Sequence, residues 1–199
     1  MSSALVIVKG ETVAPKPTAK ILGVILDSEL RYKGHIARTA TKGLKAALAL
    51  KRLKMLSPSS ARQLFNATVA PVLDYASNVW MHAAKELAMA MLNRAQRVGA
   101  QAITGAFRTV SVAIAEAEAY IRPVHQRLGE RATKLWIGIH TLPDTHPLER
   151  LRMSAFQRFA SPLQRIRLAH QPARGIETIE AFAVPPWEKR IDIIVKLDR

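Results

Sequence analysis

Two periods of apolar spacing divide the chain. Near the start the pattern is that of short strands. Ala4 to Val8 is a β-branched run, Lys9-Gly10-Glu11 reads as a turn, and Thr12-Val13 can pair back. Pro15 and Pro17 interrupt, and Ala19 to Leu26 reads as a second strand. Beyond residue 30 the spacing becomes helical. A first helix is predicted from about Tyr32 to Leu56, with Ile36, Ala40, Gly43, Leu44, Ala47 and Leu48 on one face and Arg38, Lys42, Lys45 and Arg52 on the other. Lys51 falls among the apolar residues and breaks that pattern. Ser57-Pro58 restarts a helix, with serine as the cap and proline at the first helical position, where a missing N–H costs nothing. Pro71 should kink or split this second helix. Further helices are expected over Lys85 to Thr104, Ser111 to Ala119 and Val124 to His140.

Near Thr141 the composition changes. Six of the eleven prolines lie beyond it, and the acid–base balance shifts: residues 1–140 hold 20 cations and 8 acids, residues 141–199 hold 10 and 7. The last segment therefore reads as an extended connector. The expected fold is mainly α: a β-hairpin within residues 1–30, a helical bundle over 31–140, and the connector over 141–199.

Charge adds the next constraint. With 30 Lys and Arg against 15 Asp and Glu the net charge is +15, on a chain that is 49% apolar and so able to build a core. Between Arg31 and Leu73 there are nine cations and no acid. Ordinary exposed helices mix signs, so this asymmetry points to a polyanion, and a nucleic-acid backbone is the expected partner. Lys33, Arg38, Lys42, Lys45 and Arg52 are the candidate phosphate-contacting residues. A solvated face and a membrane-surface helix are the competing readings, and the second lacks aromatic anchors. No segment has the length of a membrane span, and the N-terminus carries no charged leader, so neither a span nor a signal peptide is expected.

Catalytic chemistry is hard to find. There is no Asp-Asp pair, phosphate-binding glycine loop, zinc-protease histidine pair or cysteine. Glu116 and Glu118 are expected to be solvated helix charges, and Asp27 and Glu29 to belong to a turn or cap. Trp80, Tyr75 and Phe107 could stack bases but are expected in the core.

Several blocks resemble a known family. Lys20-Ile21-Leu22-Gly23-Val24-Ile25-Leu26-Asp27 resembles the Leu-Gly-Val segment that follows the palm strands of non-LTR (LINE-like) retrotransposon reverse transcriptases, in a spelling like that of fungal elements. Leu30-Arg31-Tyr32-Lys33-Gly34-His35-Ile36 resembles the entry to their thumb. Arg62-Gln63-Leu64-Phe65, Val69 through Trp80, Asn93 through Arg97 and Ile103 through Thr109 resemble later thumb blocks in the same order. The resemblance covers about Ile7 to Leu151.

It implies a fragment of an RNA-directed DNA polymerase: residues 1–30 the end of the palm, 31–140 the thumb, 141–199 a connector toward an RNase H-like domain. Leu22, Gly23 and Val24 would form a primer-grip-like turn, and the basic helix would hold an RNA–DNA template–primer duplex. The polymerase carboxylates would precede Met1, so no catalytic residue, cofactor or metal site is expected in this chain. Magnesium would belong to the missing palm, whose domains are possible partners, and polymerase activity is not expected from the chain alone. The parent element would act in the nucleus. The alternatives are an inert retrotransposon remnant, with Ile7, Ile21 and Ile25 left partly uncovered, and a standalone basic helical RNA-binding or adaptor module.

Overall fold

The structure, a computed structural model, describes residues 6–8, 11–14, 16–53, 55–143 and 145–148. It is mainly helical with a small antiparallel β component. Strands β1 (Val6–Val8) and β2 (Glu11–Val13) form one two-stranded antiparallel sheet. Strands β3 (Thr18–Ile21) and β4 (Val24–Asp27) form another. The single strand expected over Ala19 to Leu26 is thus a hairpin. Leu22 and Gly23 take positive φ, 46° and 84°, and two consecutive left-handed residues make the tight turn whose twist matches its flanking strands.

Helix α1 (Lys33–Arg52) is shorter than expected at its C-terminal end. Helix α2 (Pro58–Leu64) begins as the sequence suggests: Ser57 Oγ accepts the Ser60 amide at 3.1 Å, and Pro58 occupies the first turn. The effect of Pro71 is a widened turn. Residues Phe65–Val69 form a π-helical segment in which the Ala70 amide reaches back to the Phe65 carbonyl, and α3 (Ala70–Leu73) continues from it. Proline has no N–H to donate and its ring crowds the preceding turn, so the ladder changes spacing just before it. Helix α4 (Ser77–Trp80) and a 3-10 turn (Met81–Ala83), both unexpected, lead to α5 (Glu86–Thr104). Then come α6 (Val112–Glu118), capped by Ser111, and α7 (Val124–His140).

The described residues divide into two units between Ala132 and Thr133, within α7. Most of the connector expected over 141–199 lies outside the described residues, as does the side chain of Ile7. In the second unit Trp136 stacks on His140, with ring centroids 4.1 Å apart.

The core of the first unit is built where α1 and α5 pack on each other and on the α2–α3 segment. Small residues let them approach: Ala40, Gly43 and Ala47 on α1, and Ala95, Gly99 and Ala100 on α5, are all buried. A Cβ on Gly43 would collide with Leu73, and one on Gly99 with Phe65. Phe65, Val69, Leu73, Trp80 and Leu92 are completely buried around them.

A polar knot joins three elements to this core. Asp74, just after α3, is buried, and the Arg127 guanidinium of α7 donates to both its oxygens, at 3.0 and 3.1 Å. Arg127 also donates to Gln96 Oε1 on α5 at 3.0 Å and to the Arg122 carbonyl at 2.7 Å. Gln96 itself donates to that carbonyl at 2.9 Å. Such a bidentate, fully bonded arrangement is the form in which a buried ion pair is tolerated.

Two expectations about side chains fail. Glu116 is buried, because α6 docks on α5 and turns Ala115, Glu116 and Ala119 inward; Glu118 stays exposed. Phe107 is 81% exposed and Tyr75 is 51% exposed; of the three aromatics expected in the core, only Trp80 is there.

Candidate nucleic-acid interface

The five candidate cations Lys33, Arg38, Lys42, Lys45 and Arg52 are all exposed along α1. At about 100° per residue, Arg38, Lys42, Lys45 and Arg52 fall within an arc of about 80° and run along about 21 Å of helix. Opposite them lie Ile36, Ala40, Gly43, Ala47 and Leu50, all buried. Lys33, in the first turn, stands about 100° away from the nearest edge of that arc. The row is therefore four residues, with Lys33 to one side. Among the described residues no carboxylate pairs with any of these five.

Three other cations of the acid-free stretch have partners. Arg31 pairs with Glu29 at 2.7 Å. Arg62 lies over the Tyr120 ring, 5.4 Å from its centroid. Lys51, the residue that broke the helical pattern, donates to Gln101 Oε1 on α5 at 3.1 Å. Its ammonium crosses to the neighbouring helix.

The contact of Lys51 with Gln101, together with the packing of Gly43 near Ala95, sets the two helices side by side and running in the same direction. Arg94 and Arg97 are exposed on α5, away from its buried Leu92, Gly99 and Ile103. They are a second exposed basic pair, on the helix that packs against α1. Sequence reasoning used these arginines only as part of a resemblance; their spacing, i and i+3 on a helix whose other face is small and apolar, was the available signal.

At the N-terminal end of α1 sits the β3–β4 hairpin. Its tip is tied down by Tyr75, whose hydroxyl donates to the Leu22 carbonyl at 2.7 Å. A side chain on Gly23 would press on that ring, 3.2 Å from the hydroxyl oxygen. Of the residues expected to form a primer-grip-like turn, Leu22 is 88% exposed, while Val24 is buried in the core. After β4 the Asp27 carboxylate accepts the amides of Glu29, Arg31 and Tyr32, at 3.1, 3.0 and 2.6 Å. The Arg31 amide is the largest influence holding the Asp27 carboxyl below its ordinary value. Asp27 thus organises the turn into α1.

His35 joins hairpin and helix. Its ring is buried, Nδ1 accepts the Ile25 amide of β4 at 3.3 Å, and Trp80 lies against it with centroids 6.0 Å apart. Burial first, then the charges of Arg38 and Lys42, hold its pKa below the ordinary histidine value.

Among the described residues no three His, Asp or Glu side chains converge on a possible metal site, and no helix is long and apolar enough to cross a membrane. Comparisons of the chain with protein-family models, curated proteins and solved structures find no match.

Proposed function

We propose that this chain grips a nucleic-acid backbone along α1, as the thumb-like part of a reverse-transcriptase-type polymerase whose catalytic carboxylates lie elsewhere. The observation that carries this reading is the row of Arg38, Lys42, Lys45 and Arg52. These are four exposed cations on one side of a helix whose other side is core, with no carboxylate partner among the described residues. Such a row suits a regular line of phosphates, positions it and reads no sequence. Arg94 and Arg97 add two exposed cations on α5. The hairpin tip, where Ile21 is 57% and Leu22 88% exposed, is the surface on which other polymerase domains would rest.

The test is binding of a labelled RNA–DNA duplex at several salt concentrations, for the wild type and for Lys42→Glu/Lys45→Glu. Removing two phosphate contacts should flatten the logarithmic salt dependence by about 1.8. Tight binding with an unchanged slope in the variant would move the contact elsewhere. Absence of duplex binding would favour an adaptor for a protein partner or an inert remnant.

A further inference from the structure

The environment of His35 has a consequence for the hairpin. Because Nδ1 accepts the Ile25 amide, the neutral ring must carry its proton on Nε2. That Nε2 is buried and has no hydrogen-bond partner. One nitrogen therefore holds the hairpin and the other gains nothing from burial. A second proton would go to Nδ1, turning its acceptor into a donor facing the Ile25 N–H. The bond from the ring to the Ile25 amide of β4 would be lost, and a cation would be left beside Trp80.

The surroundings offer that cation little relief. Arg38 and Lys42, on the ring's own helix, both repel it. Tyr32, one turn earlier on the chain, donates its amide to the Asp27 carboxylate at the end of β4 and meets His82 of the 3-10 turn edge-on, with centroids 5.6 Å apart. Asp27 is committed to three backbone amides. The two repelling residues belong to the proposed phosphate-contacting row.

We propose that His35 is a proton-operated latch between the β3–β4 hairpin and α1, and that a phosphate backbone lying on Arg38 and Lys42 makes the latch easier to open. The second half rests on the binding reading above. Phosphates would cancel the two charges that oppose protonation, so bound nucleic acid and an opened hairpin favour each other, as linkage requires. The hairpin would then respond both to acidity and to occupancy of the basic row.

Hydrogen exchange of the Ile25 amide tests this in the whole chain. In the free protein its protection should fall as the pH drops below 6.5, the ordinary histidine value, and His35→Gln, whose side-chain oxygen accepts the same bond without titrating, should keep it. With RNA–DNA duplex bound, the opening midpoint of the wild type should move to higher pH. Wild-type protection that does not change with acidity, beyond the intrinsic exchange chemistry, would overturn the latch. Should His35→Gln not fold, titration of the wild-type His35 ring by NMR decides: a midpoint at or above the ordinary value overturns it. A duplex that binds without moving the midpoint overturns the coupling. A duplex that does not bind sinks the binding reading and with it the coupling, while the free-protein titration still judges the latch.

Discussion

The molecule treats charge in two opposite ways. At Asp74 the charges are matched: two oxygens meet one guanidinium, and the remaining guanidinium donor meets a glutamine and a carbonyl. Along α1, four cations face solvent with no matching acid among the described residues. The same chain therefore satisfies a charge where three elements must be held together and leaves others open where nothing inside needs them. Unpaired exposed charge costs little in water, so stability does not account for the row; a partner from outside would.

The largest effect expected comes from breaking the closed side of this comparison. Asp74→Ala leaves the part-buried Arg127 guanidinium without its carboxylate and should lower stability by up to about 3 kcal/mol in denaturant titration. By contrast, neutralising Arg38, Lys42, Lys45 and Arg52 together to glutamine should leave the unfolding midpoint nearly unchanged and abolish most salt-dependent duplex binding. A large loss of stability in that variant would dissolve the distinction between the two regions. Arg94→Gln/Arg97→Gln sharpens it: a smaller reduction in salt slope is expected if α5 contributes a flank of the same surface.

Smaller effects probe the hairpin between the two regimes. Tyr75→Phe removes the hydroxyl that holds the Leu22 carbonyl and should cost about 0.5–1.5 kcal/mol, with faster exchange confined to the β3–β4 turn. The smallest should be the acid response of the turn after β4. The Asp27 carboxyl lies below its ordinary 3.8 in the folded chain, so its contribution is full above that value and fades as the pH falls through and below it. Asp27→Asn should thus unfold earlier than the wild type near neutrality, and the difference should close in strong acid.

The helices were legible because their signals are local. Ser57-Pro58 announced a start, and the apolar stripe of α1 gave its buried face. The hairpin was misread because Leu22 and Gly23 sit inside an apolar run, and only the glycine hinted at left-handed backbone. Lys51 looked like an error in the pattern until its partner, fifty residues away, was in view. Glu116 and Phe107 were misplaced for the same reason: whether a side chain on a short helix or loop is covered depends on the docking of elements that periodicity does not describe. The exposed cations of α1 were foreseen, whereas the packing of α5 alongside α1 was not.

Gly43 has a reach beyond the core it permits. Its missing methyl group lets Leu73 press against the α1 backbone, and it does so on the side facing away from Arg38, Lys42, Lys45 and Arg52. The depth at which the helix is seated, and hence the height of the charged row above the rest of the surface, is gauged from behind. A single alanine there would change no charge and touch no phosphate, yet it would lift the whole row like a shim under a ruler.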